Sequence, residues 1–190
     1  MRKIAVFISG EGSNASKMLI NFREREGLEV ALLYSSRPNE NLKVLCKDFG
    51  IVYQYRPWND SEKIKLLEFC KKMRIDWVVL AGFLKLIPAA FIAHFPNKIL
   101  NIHPALLPKF GGKGMYGMHV HNAVIHAKEI ESGITIHYVN GAYDEGQIIK
   151  QFRVSISENE TSETLSTKVR TLEHKYFSDT VAELIMSNKT

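Results

Sequence analysis

The most constraining stretch lies near the amino terminus, where apolar residues 3–9 run straight into Gly10-Glu11-Gly12-Ser13-Asn14-Ala15. Beyond that turn Met18, Leu19 and Phe22 recur at helical spacing over residues 13–25, and Ser13 or Asn14 is placed to cap the helix. Strand, glycine turn and helix in succession start an α/β unit, with free backbone N–H groups at the helix start aimed at an anion. The spacing also satisfies a loose dinucleotide-binding pattern, with Ala15 in the last glycine's place. The second strand, residues 28–34, ends in Ser35-Ser36-Arg37. It offers no acidic residue for a ribose diol, although Arg37 suits a 2′-phosphate. A tight turn that merely joins strand to helix is the simpler alternative.

The alternation continues along the chain. A helix is expected over 41–49, a strand over 51–54 and a helix over 61–73 that buries Ile64, Leu67, Phe69 and Cys70. Residues 76–80 read as a strand too apolar to face water on either side. Ala81-Gly82-Phe83-Leu84-Lys85-Leu86-Ile87-Pro88 then forms a strand–loop–helix junction, and another short buried strand begins at 98–100. A helix over 118–128, a strand over 133–139 with a hairpin partner over 147–152, and a long helix over 161–186 complete the pattern. Leu165, Val169, Leu172, Tyr176, Val181 and Leu184 mark one face of that last helix, with Thr161 or Ser162 as its cap. The expected fold is three-layer α/β around a mostly parallel twisted sheet, with a carboxyl-terminal hairpin and long helix. No linker, repeat or low-complexity stretch divides the chain, so residues 1–190 are expected to form one domain.

Composition narrows the partners. The chain has no run of about 18 apolar residues, so no membrane partner is expected. Its first residues superficially suggest a signal peptide, but the apolar part is short and runs into the glycine turn. Cys46 and Cys70 are far apart and lack metal-ligand spacing, which points to a reducing, cytoplasmic setting. A net charge of +5 favours anionic partners. Lys and Arg are scattered rather than massed, so small phosphorylated or polycarboxylate ligands account for the charge as well as nucleic acid does.

The chemistry centres on Asn101-Ile102-His103-Pro104-Ala105-Leu106-Leu107-Pro108. Alternate strand residues point the same way, so Asn101 and His103 share one face at a strand's carboxyl end, and Pro104 and Pro108 end regular structure. An amide beside an imidazole suits a reaction that develops an oxyanion. The alternative is a pair of sheet-edge side chains that satisfy loop carbonyls. Lys109 to Gly117, with four glycines in its last seven residues, reads as a mobile surface loop. It is not a Walker A loop, because Gly114 follows Lys113. His119 and His121 diverge by roughly 200° on a helix and cannot grip one ion together, so no metal is expected. Asp144 lies among turn residues, and Glu173 lies beside the apolar face of the last helix.

Asn101-Ile102-His103-Pro104 followed by Leu106-Leu107-Pro108 resembles the signature of the folate-dependent formyltransferases. With the motifs at both ends, the resemblance covers Gly10 to His174 and is closest to the members acting on glycinamide ribonucleotide. It implies a Rossmann-like formyltransferase fold and transfer of the formyl group of 10-formyltetrahydrofolate, as co-substrate, to the ribonucleotide amine through a tetrahedral intermediate. Asn101, His103 and Asp144, the last within Tyr143-Asp144-Glu145-Gly146, are implied as catalytic. Gly12, Ser13 and Asn14 would hold the substrate phosphate, with Pro104, Arg170 and Glu173 completing the substrate set. In Thr171-Leu172-Glu173-His174, the carboxylate would orient the amine. Leu84, Lys85, Leu86 and Ile87 would cup the pteridine, together with Asn101, Asn140, Gly141, Ala142, Tyr143 and Asp144. His137 matches a family histidine on the neighbouring strand. Glu11 departs from the usual loop, and its side chain is expected to face solvent. Near the third helix, where some members place an arginine close to the folate, this chain offers only Lys63. The 111–117 segment is longer than in many relatives and is expected to be a flexible wall.

In the implied mechanism a carboxylate near His103 raises the imidazole pKa. Protonated His103 and the Asn101 amide then stabilise the oxyanion, while Asp144 moves the amine proton toward the folate nitrogen. The expected enzyme is a monomer or homodimer without nucleic acid or metal. A formyltetrahydrofolate hydrolase, another folate-dependent formyltransferase and a non-catalytic nucleotide-binding module are the alternatives.

Overall fold

Residue alternation in the first strand already divides the molecule into layers. In β1 (Arg2–Ile8) Ile4, Val6 and Ile8 enter one apolar cluster, while Ala5 and Phe7 enter another. The computed structural model describes residues 1–188; the last two residues of the expected 1–190 domain lie outside them. Strand β1 is central and pairs in parallel with β2 (Leu28–Ser35) and β4 (Trp77–Leu80). Strands β3 (Val52–Tyr55) and β5 (Ile99–His103) extend the parallel part, and β6 (Glu131–Tyr138) and β7 (Ile148–Ser155) add an antiparallel edge. The order across the seven strands is β3-β2-β1-β4-β5-β6-β7. The expected three-layer α/β architecture, with its hairpin and long helix, is what forms.

Helices α1 (Ser13–Arg23), α2 (Glu40–Asp48), α5 (Met118–His126) and α6 (Ser162–Ser187) contribute buried residues to the first cluster. Helices α3 (Asp60–Met73) and α4 (Ala89–His94) contribute to the second. There Phe7, Tyr34, Phe83 and Trp58 form an edge-to-face group, with Phe83 and Trp58 centroids 4.9 Å apart. Such pairs contribute about 0.5–1.5 kcal/mol each beyond simple burial, and here they anchor the loop after β4.

Several local expectations need correction. Helix α1 is not capped by Ser13 or Asn14; Gly12 is its N-cap at φ +76°, with no side-chain cap bond. A side chain there would be strained by the left-handed backbone and would have to displace Leu42 Cδ1, 2.3 Å from its Cβ. Ile64 is 66% exposed, and Leu66 takes its place beside Leu67 and Cys70. The helix starts one residue earlier than expected, with Asn59 as its cap, and i,i+3 and i,i+4 spacing fit either register. In α6 Thr161 caps in a reciprocal capping box, while Leu172, Tyr176 and Leu184 are only partly buried against the core.

Candidate active site

The loops that follow β1, β4 and β5 gather at the carboxyl edge of the parallel sheet, where α/β folds bind ligands. Ser9 ties two of them together. Its backbone N–H donates to Gly82 O at 3.1 Å, and its buried hydroxyl accepts from Leu84 N at 3.1 Å. A cavity of about 430 Å³ opens there, bounded by Leu84 to Ile87, by Asn101, His103 and Asp144, and by Asn14 and Glu173.

Asn101 and His103 share a face of β5, as their spacing predicts, and a second strand fixes the amide. His137, opposite Asn101 in register, donates from Nδ1 to Tyr138 O at 2.7 Å. Its Nε2 is then an acceptor for Asn101 Nδ2 at 3.0 Å. Asn101 Nδ2 also faces Asp144 Oδ1 at 3.5 Å, a long contact that leaves this N–H available to a ligand.

Asp144 lies in the β6–β7 connection at φ +58°, a left-handed position that aspartate tolerates and that aims its side chain inward. Its carboxylate is 3.4 Å from His103 Nδ1 and 3.7 Å from His137 Nε2, and its side chain is only 10% exposed. The glycine-rich loop completes the arrangement: Gly112 N donates to Asp144 Oδ2 at 2.9 Å, and Phe110 O accepts from His103 Nε2 at 2.8 Å. A Cβ at Gly111 would lie 2.5 Å from Leu107 Cδ2, the movable end of a side chain, and 3.2 Å from Asp144 Cβ, which would have to yield by a few tenths of an ångström. The loop is therefore more than a flexible wall. Sequence reasoning missed both backbone contacts because carbonyls and amides carry no residue signature; Gly111 itself was the one available signal.

The expected rise in the His103 pKa is corrected. Burial lowers it, and this outweighs the attraction of Asp144 and the hydrogen bond to Phe110 O. The ring is 3% exposed, so little water reaches a charged form. With Nε2–H committed to Phe110 O, the neutral ring presents its lone pair at Nδ1, facing Asp144. A proton arriving there is held by both groups. His137 is lowered by burial as well. His121 is lowered by burial and by the nearby His103, whereas His119 on the same helix is exposed, so the two diverge as expected.

At the other end of the cavity Asn14 Nδ2 donates to Glu173 Oε2 at 2.8 Å. Burial raises the Glu173 pKa, opposed by that hydrogen bond and by Arg170. Glu173 is thus a desolvated carboxylate rather than a solvated rim charge.

A family model described as formyl transferase matches residues 2–181. The chain belongs to the formyl transferase family. It is 38% identical over 196 residues to the chloroplastic phosphoribosylglycinamide formyltransferase of Arabidopsis thaliana, covering 96% of this chain and 65% of that protein. A Vigna unguiculata protein of the same name is covered over 61% of its length. The chain thus spans less than two thirds of both plant relatives. The phosphoribosylglycinamide formyltransferase of Bacillus subtilis is 31% identical over 194 residues, covering 99% of this chain and 97% of that one. The crystal structure of the Bacillus halodurans phosphoribosylglycinamide formyltransferase superposes with a TM-score of 0.87 at 33% identity, covering 99% and 97% of the two chains.

Within this formyl transferase fold, most expected site residues meet in the one cavity. Pro104, Ala142 and Tyr143 line it with the groups above. Gly12, Ser13, Arg170, Asn140 and Gly141 lie outside its lining; Asn140 instead accepts from Ala142 N at 3.0 Å and shapes the turn before Asp144. Glu11 is exposed, as expected. Lys63 pairs with Asp60 at 2.8 Å and is not part of the cavity wall. Among the described residues no helix is long and apolar enough to cross a membrane.

Proposed function

We propose that this formyl transferase moves the formyl group of 10-formyltetrahydrofolate to the primary amine of glycinamide ribonucleotide, giving formylglycinamide ribonucleotide in purine biosynthesis. The observation that carries the reading is the convergence of Asn101, His103 and Asp144 in a cavity whose far end holds the Asn14–Glu173 pair. The folate ring enters against residues 84–87 and 142–144, with Asn140 and Gly141 shaping the turn behind them. The ribonucleotide phosphate takes the α1 N-terminus at Gly12, Ser13 and Asn14, with Arg170 nearby. Glu173 orients the glycinamide amine, and Pro104 closes the passage between the two ligands.

The amine attacks the formyl carbon, and the carbonyl oxygen becomes an oxyanion. The Asn101 N–H stabilises it. Asp144 and His103 together accept the proton released by the amine, and the imidazole becomes charged as the oxyanion forms. The tetrahedral intermediate collapses by breaking the bond to the folate nitrogen, which takes up that proton. The net result is one formyl group exchanged for one proton.

Residues 1–190 act in this reading as one formyltransferase domain, as a monomer or homodimer, in the cytoplasm, with small-molecule partners alone. Two buried free cysteines suit a reducing compartment. The test is release of tetrahydrofolate from 10-formyltetrahydrofolate with glycinamide ribonucleotide present or omitted. Release that requires the ribonucleotide supports the reading. Release without it identifies a hydrolase, and no release in either case rules out both activities.

A further inference from the structure

We infer that Gln151 is a positioning residue for formyl transfer, holding the connector that supplies the hydrogen-bond partner of His103; this rests on the function proposed above. His103, Thr135 and Gln151 are register partners across β5, β6 and β7. Cross-strand partners project from the same face of a sheet. The connector of residues 104–110 leaves β5 at His103 and returns to it, because Phe110 O accepts from His103 Nε2.

The middle of that connector is tied to the row. Leu107 N donates to Thr135 Oγ1 at 3.0 Å, and Leu107 O accepts from Gln151 Nε2 at 2.9 Å. Gln151 Nε2 also donates to Thr135 Oγ1 at 2.9 Å, while the Thr135 hydroxyl donates to Ala105 O at 2.7 Å. The Thr135 hydroxyl thus uses its single proton and both lone pairs, and the Gln151 amide uses both N–H groups, which fixes its orientation. Ala105 and Leu107 are buried, but a second cavity of about 210 Å³, lined by Leu107, Phe110, Val124 and Gln151, leaves one side of the connector unpacked. Gln151 touches neither ligand in the proposed reaction. It acts through Leu107 on the Phe110 carbonyl, and through that carbonyl on the tautomer and orientation of His103.

The test replaces Gln151 by Met, which keeps the length and removes both donors. Three quantities are measured: kcat, KM for each substrate, and the His103 Nε2–H signal in a nitrogen-edited proton spectrum. The expected result is a kcat about tenfold lower, the loss anticipated for one misdirected hydrogen bond. KM for the ribonucleotide rises by less than kcat falls, since Asn14 and Glu173 sit on other elements and only Pro104 is shared with the connector, and the Nε2–H signal broadens or moves upfield. Thr135→Val gives the same signature, Thr135→Ser restores the Nε2–H signal, and the double variant loses no more than the worse single one. A folded Gln151→Met protein with wild-type kcat overturns the inference, as does a kcat loss with an unchanged Nε2–H signal. If that variant does not fold, Thr135→Val reports on the same tie. The spectrum also separates this inference from the proposed function, because it reads the tie even in a protein that transfers no formyl group.

Discussion

Gly112 donates its backbone N–H to Asp144 Oδ2 at 2.9 Å, from the same loop whose Phe110 carbonyl receives the His103 Nε2–H. One short glycine-rich segment therefore sets the geometry of both members of the His103–Asp144 pair, which face each other at 3.4 Å. A change in its backbone reaches the proposed chemistry without altering a reacting side chain.

Gly111→Ala tests that link. The added Cβ would meet Leu107 Cδ2 at 2.5 Å and Asp144 Cβ at 3.2 Å, so the Leu107 end must swing aside and Asp144 must yield by a few tenths of an ångström. Displacement by a few tenths of an ångström at the group proposed to transfer the proton is expected to lower kcat about 10- to 100-fold. The melting temperature should fall by only a few degrees, as expected for about 1–2 kcal/mol in a chain of this size. Parallel kinetics and thermal melts check this; an unchanged kcat would show that the loop does not govern Asp144.

Acid should weaken the fold. His103, His121 and His137 are buried with pKa values lowered from their ordinary 6.5. Each takes up a proton more readily once unfolded, so its stabilising effect is full above about pH 6.5 and is lost as pH falls toward the lowered folded value. Between pH 7.5 and 5.5 the expected loss is roughly 1–3 kcal/mol, seen as a lower melting temperature. His121→Gln should reduce the slope, since His121 Nδ1 is buried without a partner and the variant removes one of the three titrations. An identical slope in wild type and variant would contradict this assignment.

Glu173 costs stability at neutral pH, and in the proposed reaction it contributes to binding. Its carboxyl is pushed up by burial, so at neutral pH the charged form opposes folding. Glu173→Gln retains an acceptor for Asn14 Nδ2 and removes the charge. The variant should melt at or above the wild-type temperature, by up to about 1–2 kcal/mol. It should also raise KM for the ribonucleotide at least tenfold, because the amine loses its anionic partner. Steady-state kinetics with differential scanning fluorimetry decides; unchanged KM would remove Glu173 from the substrate site.

Ser9→Ala addresses the loop proposed to receive the folate. Two donors, Leu84 N–H and the Ser36 hydroxyl, converge on the Ser9 oxygen. Losing that acceptor should cost about 1–3 kcal/mol of stability. KM for the folate should rise several-fold, with KM for the ribonucleotide unchanged; equal changes in both would point to general loosening of the sheet edge.

The sequence was legible wherever a side-chain pattern determines the result. The apolar runs of β1 and β4 led to the observed strands, and the Asn101-x-His103 spacing led to the observed face. Ile64 and Leu66 exchanged roles because helical periodicity alone tolerates a shift of register. The His103 pKa had the wrong sign because motif reasoning counts neighbouring charges, whereas burial depends on the whole fold around the ring. The loop from Phe110 to Gly112 looked merely mobile because its contacts come from backbone atoms, to which glycine content is only an indirect clue.

In the proposed reaction the Asp144–His103 pair moves the proton in formyl transfer to glycinamide ribonucleotide. The decisive measurement is kcat of Asp144→Asn with both substrates saturating, beside the wild-type enzyme. The expected fall is about 10²- to 10⁴-fold, the usual contribution of a positioned acid–base group, with a folded protein that still binds both ligands. Wild-type turnover by that variant would contradict it.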